Sequence, residues 1–182
     1  MSWGTFKSTL LPAMQSHTFG NSLETFAATF ASAYDLSIKT GRTTITSIPC
    51  LQGNKGAMQS QLVSLLSTTQ KTNAPDFLTI VGPAVIAYWT GATILPIPPA
   101  IPCPGAIQNI SVTGAPVLSP GVWTPLSVPA NNNPQIFINA FCATATIHLT
   151  TVSGLHNCIC IYPGSPPPVA PGVLPWTGYT AG

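Results

Sequence analysis

Residues 135–160 read QIFINAFCATATIHLTTVSGLHNCIC, from Gln135 to Cys160. The part from Gln135 to Val152 is dense in Ile, Thr, Val and Phe, the residue types that suit a pleated, half-buried surface. Ser153-Gly154 has the composition of a two-residue hairpin loop. If the chain turns there, Val152 faces Leu155, Leu149 faces Cys158 and Ile147 faces Cys160. Ala145, Ile147, Leu149, Cys158, Cys160 and Tyr162 then share one apolar face, and Thr146, His148, Thr150 and Asn157 share the other. Ala106 to Thr113 and Val122 to Val128 read as further short strands, with a turn at Asn131-Asn132-Asn133-Pro134. On this reading residues 106–162 form a β subdomain, a small antiparallel β-sandwich or partial barrel.

The N-terminal side has a different period. Trp3, Phe6, Leu10 and Met14 recur at helical spacing, and Pro12 is expected to cut that helix short. Ser22 caps a second helix whose apolar face is Leu23, Phe26, Phe30 and Tyr34, closed by Lys39 to Gly41. Thr43 to Ile48 is a short strand or extended link, and Asn54-Lys55-Gly56 a turn. Met58, Leu62, Leu65 and Leu66 stripe a third helix, with Lys71 in its last turn. Pro75-Asp76 opens a fourth, carrying Phe77, Ile80, Val81, Val85 and Tyr88. Residues 1–94 are therefore expected to form a bundle of about four short helices. The overall class is α+β.

Two proline-rich stretches punctuate this plan. Residues 95–105, LPIPPAIPCPG, hold five prolines, which forbid helix and central strand and mark an extended connector. Residues 163–182 hold Pro166-Pro167-Pro168, Pro171 and Pro175 and read as an extended arm without a ladder of its own. The arm also carries Val169, Val173, Leu174, Trp176 and Tyr179, apolar weight that a free tail lacks. It is expected to dock, on its own domain or on a neighbour. Trp176-Thr177-Gly178 echoes Trp89-Thr90-Gly91.

Charge limits what the chain does. Only 4% of its 182 residues are charged, against about 25% in an ordinary soluble domain. The charged side chains are Lys7, Glu24, Asp35, Lys39, Arg42, Lys55, Lys71 and Asp76, and residues 77–182 contain none, although they hold 17 of the 20 prolines. Five scattered Lys and Arg cannot neutralise a row of phosphates, so no direct nucleic-acid binding is expected. A surface made polar by Thr, Ser, Asn and Gln suits coverage by neighbours, protein or lipid. Phe77 to Ile97 is long and apolar enough to be weighed as a membrane span, despite Gly82-Pro83, Gly91 and Pro96 within it.

Chemistry is sparse. The cysteines Cys50, Cys103, Cys142, Cys158 and Cys160 are odd in number and irregularly spaced, which argues for packing thiols over a disulfide framework. His156, Cys158 and Cys160 alternate along one strand, so the ligands would sit about 7 Å apart, too far to converge on one zinc ion. A Cys142–His148 thiol pair is the remaining catalytic arrangement. Phosphate loops, nucleophile elbows and HExxH are all missing. The expectation is a non-enzymatic chain with no metal, cofactor or catalytic residue.

In general style the chain resembles minor virion proteins of large double-stranded-DNA viruses, tailed bacteriophages above all. The resemblance lies in few charges, Thr/Asn/Pro-rich strands and a docking arm, and it carries no motif and no residue role. It implies a structural subunit of a symmetric assembly (capsid, neck, tail or baseplate), assembled in the host cytoplasm and partnered by copies of itself and other structural proteins. Trp89, Trp123, Pro167, Trp176 and Tyr179 are the expected subunit-interface anchors. Two alternatives stand beside it: a membrane anchor at 77–97, and a carbohydrate- or host-binding module using Trp and Asn-rich loops.

Overall fold

The computed structural model describes residues 3–16, 22–44, 50–69, 73–94, 109–111, 117–161 and 170–182. Among them are five α-helices and three small antiparallel sheets, an α+β chain. Four of the helices open on a side-chain cap. Ser22 accepts from Thr25 N ahead of α2 (Leu23–Lys39), and Asn54 accepts from Ala57 N ahead of α3 (Lys55–Thr68). Asn73 accepts from Asp76 N ahead of α4 (Ala74–Trp89), and Asn133 from Gln135 N ahead of α5 (Pro134–Thr151). Each cap satisfies an amide that the first helical turn leaves without a partner. Helix α1 (Gly4–Gln15) runs through Pro12 instead of stopping there. Phe6 and Leu10 are fully buried and hold the helix against the core, and Ser16 N still reaches Pro12 O at 2.9 Å. Lys71 lies outside the described residues, and α3 ends at Thr68.

The stretch from Gln135 to Thr151 is helix, not strand, and Ser153-Gly154 is not a hairpin loop. The reason is tertiary. Phe137, Ile138, Phe141, Ala145, His148 and Leu149 fall on one helical face, and all are buried. Phe141 sits among the aromatic rings of the earlier helices, 4.8 Å from Phe6, 5.0 Å from Phe30 and 6.1 Å from both Trp3 and Tyr34 (centroid to centroid). Burying a ring of that size outweighs the modest intrinsic preference of Thr and Ile for strand. The helix thus belongs to the helical core, although it follows the proline connector in sequence. Val122 to Val128 is likewise not a strand; it crosses the helices without regular structure. Leu126 N meets Thr144 Oγ1 at 3.3 Å, and Trp123 Nε1 donates to Leu78 O at 3.1 Å.

The largest sheet is built on β6 (Ser153–Ile161). Strands β4 (Asn109–Ser111) and β5 (Val117–Ser119) pair antiparallel with its two halves on one side, and β7 (Ala170–Thr177) runs along the other. The C-terminal arm therefore does form a ladder, contrary to expectation, and it does so on its own chain. Pro171 and Pro175 are four residues apart, hence on one parity of an edge strand. Both missing N–H groups can then face the open edge, where no ladder bond is lost.

Two shorter pairings close the structure. β2 (Cys50–Gln52) pairs with β3 (Thr93–Ile94), and β1 (Arg42–Thr43) with β8 (Tyr179–Thr180). Past β7 the chain turns through Gly178 at φ +90, as it does after α4 through Gly91 at φ +75. The two Trp-Thr-Gly echoes thus share a left-handed glycine, which favours this residue at each. The chain then lies on the end of α2. Tyr179 donates its hydroxyl to Ile38 O at 2.9 Å, and Gly182 N reaches Ser37 O at 3.0 Å. Both carbonyls belong to the last turn of α2, where the regular helical donors run out; Gly41 N (2.9 Å) and Thr40 Oγ1 (3.1 Å) reach Ile38 O and Ser37 O from the same end.

Among the described residues no helix is long and apolar enough to cross a membrane. Helix α4 stops at Trp89, and the chain turns at Gly91 into β3, so residues 77–94 do not form one continuous helix. The connector, residues 95–105, lies outside the described residues, and with it the last three positions of the 77–97 span.

Candidate functional site

The rows of the main sheet alternate between its faces. Leu118, Gly154 and Trp176 stand side by side across β5, β6 and β7. Leu118 and Trp176 are buried, and a Cβ on Gly154 would meet the Trp176 ring at 2.8 Å. The adjacent row is Val117, Leu155 and Pro175, and it faces out. Val117 is 66% exposed and Leu155 43%, with Pro175 exposed beside them. Ser119, Ser153 and Thr177 continue the same face. Val122, Leu126 and Ile147 are further exposed apolar side chains from the segment and helix that precede β6. Residues 77–182 carry no charge, so no Lys or Glu from this part of the chain interrupts that surface.

The expected interface anchors lie elsewhere. Trp89, Trp176 and Tyr179 are buried within the chain's own core, where a neighbour cannot reach them. Trp89 Nε1 donates to Tyr34 Oη at 2.9 Å, and its ring lies 5.3 Å from Tyr179. Through Tyr179 the arm is fastened to α2 and α4 of the same chain. Trp123 is half-buried, its ring 5.7 Å from Phe141 and 5.6 Å from His148, over a seat made by Gly82. Pro167 lies outside the described residues. Reading the sequence by residue type picked out the large aromatics, but in a chain with this many buried rings they are spent on the core. The Val117–Leu155–Pro175 row was missed because it requires the register of three strands.

Cys142 and His148 are both buried on α5. Burial pushes the Cys142 thiol up to about 12, with Lys7 opposing it weakly. Burial also lowers His148 to about 4, with the Gly121 backbone opposing it. Neither ring nitrogen of His148 has a hydrogen-bond partner of good geometry among the described residues, Cys142 included. Both groups are therefore held neutral near pH 7, the opposite of a thiolate–imidazolium pair. Among the described residues no three His, Cys, Asp or Glu side chains gather as a metal site. The side chains of His156, Cys158 and Cys160 are outside the described set.

One further cleft, about 230 Å³, lies where α4 and α5 begin, lined by Asn131, Asn132 and Asn133 with Phe77 and Phe137. Scans of the chain against protein-family models, curated proteins and solved structures return no match.

Proposed function

We propose that this chain is a non-enzymatic structural subunit of a symmetric assembly, a virion component of capsid, neck, tail or baseplate type assembled in the host cytoplasm. In this reading the helices form one bundle that carries the few solvated charges, and the main sheet is the partly open β layer that meets neighbours. The observation that carries the proposal is the Val117–Leu155–Pro175 row, an exposed apolar face within a stretch free of charge. Permanent interfaces are more apolar than transient ones and depleted of charge at their centre. Contacts of this kind involve no ion pairs, so they persist when salt screens charge.

Light scattering on a size-exclusion column at low and high salt tests the reading. The expected result is a discrete oligomer at both, converted to monomer by Leu155→Lys with the helical content retained. A wild-type monomer under both conditions overturns it. A second reading, a carbohydrate- or host-binding module, rests on the asparagine-lined cleft beside Phe77 and Phe137. Binding of a glycan that is lost in Asn132→Ala would favour it.

A further inference from the structure

A chain with eight charged side chains gathers three of them, Asp35, Lys39 and Lys55, on the wall of one cleft of about 550 Å³. That volume falls within the range of small-molecule sites. Asp35 is buried, and both its oxygens are engaged: Tyr88 donates its hydroxyl to Oδ1 at 2.8 Å, and Lys39 Nζ donates to Oδ2 at 2.7 Å. The carboxylate is thereby neutralised and holds the Lys39 ammonium in place, with two of its three N–H groups left to point elsewhere. Lys55, on the same wall, has no carboxylate partner among the described residues. The cleft thus carries one uncompensated positive charge.

Gly56 adds an independent observation. It lies in the opening turn of α3, where glycine gives up more conformational freedom than alanine would. Its φ is not in the left-handed region, and a Cβ there would meet no protein atom within 4 Å. Among the described residues nothing calls for glycine at this position, whereas Gly82 and Gly154 are each forced by a tryptophan ring. A ligand that approaches the backbone of the cleft wall closely does call for it.

We propose that this cleft binds a small phosphate-bearing ligand, with Lys55 supplying the uncompensated charge, Lys39 its remaining N–H donors and Gly56 the close approach. Lysine serves as a point-charge partner for phosphate oxygens, and the polar amides of Gln52 and Asn54 on the cleft wall suit a hydroxylated substituent.

Equilibrium dialysis of radiolabelled inorganic phosphate against the whole chain at low ionic strength, with glycerol 3-phosphate as competitor, tests this. Saturable uptake is expected. Lys55→Gln and Gly56→Ala should each weaken it at least fivefold, while Gly56→Ala leaves Tm unchanged or higher. Competition by glycerol 3-phosphate at lower concentration than by unlabelled phosphate assigns an ester; equal competition assigns the free anion. Absence of saturable uptake, or uptake by both variants equal to wild type, overturns the proposal.

Discussion

Acid should weaken this protein chiefly through one side chain. His148 is 1% exposed, and burial lowers it to about 4 from an ordinary value of 6.5. The unfolded chain takes up a proton at that position near pH 6.5, and the folded chain only near pH 4. Between those values unfolding is accompanied by proton uptake, so stability falls as the pH falls. Above 6.5 the group contributes no pH dependence, and below 4 both states are protonated and the loss is complete. Each unit of displacement is worth about 1.36 kcal/mol, so the loss is on the order of 3 kcal/mol in full, most of it reached by pH 4.5. That is a sizeable fraction of the 5–15 kcal/mol typical of a folded domain. Urea unfolding followed by tryptophan fluorescence, from pH 7.5 down to 4.5, measures it. His148→Leu is the control, since it replaces the imidazole with an apolar side chain of similar size. The variant should be at least as stable as wild type at pH 4.5 and should lose about 2–3 kcal/mol less across the range. If wild type and His148→Leu show the same slope with pH, the histidine is not buried neutral and the reasoning fails.

Three further outcomes follow from the packing. Phe141→Ala should cost about 3–5 kcal/mol in urea unfolding, because its ring is fully buried amid the aromatic side chains of α1 and α2. Tyr179→Phe should cost about 0.5–1.5 kcal/mol by the same assay, since it removes the hydroxyl bond to the buried Ile38 carbonyl, which keeps its backbone donor Gly41 N. Gly82→Ala should destabilise despite alanine's higher helix propensity, because the new Cβ would lie 2.3 Å from Cδ1 of Trp123. Thermal melts of Gly82→Ala with and without Trp123→Ala should show the second substitution removing most of the penalty of the first.

The stripes of the first four helices were legible but not all their boundaries: α1 runs through Pro12, and α3 begins at Lys55, inside the Asn54-Lys55-Gly56 segment expected to be a turn. In α2, Ser22 at one end and Lys39 at the other bracket Phe26, Phe30 and Tyr34, and no competing pattern fits. Helix α5 carried the same information in a weaker form. Asn133-Pro134 is a cap followed by a proline in the opening turn, and Phe137, Phe141 and Ala145 are four apart. Those features were masked by Thr144, Thr146, Ile147, Thr150 and Thr151, whose branched side chains favour strand when nothing else decides. What decides is Phe141 meeting Phe6 and Phe30, a contact between residues more than a hundred positions apart that local pattern does not encode. The docking of Trp176 and Tyr179 was half legible. Their presence in a proline-rich stretch marks it as an arm that binds something, but whether its own core or a neighbour's is a matter of geometry. The lysine cleft was illegible for a related reason: Lys39 and Lys55 sit on different helices, and their convergence appears once α2 and α3 pack.

The place of Phe141 also governs how the chain reaches this structure. Helices α1 to α4 draw on neighbours close in sequence and can assemble early, as locally connected helical units do. Their shared aromatic cavity has no occupant until α5 arrives, and α5 follows a proline-rich stretch that contributes little to steering it. Until then Phe6, Phe30 and Tyr34 line an unfilled, sticky hollow. The closing of β1 on β8 joins positions 42 and 180, a long loop whose entropy is spent before any contact rewards it. The expected order is a fast helical collapse followed by a slower search for one helix and one strand, and a single-exponential refolding trace without missing amplitude would refute it. Premature association between chains competes with that second phase, because transiently exposed apolar surface aggregates.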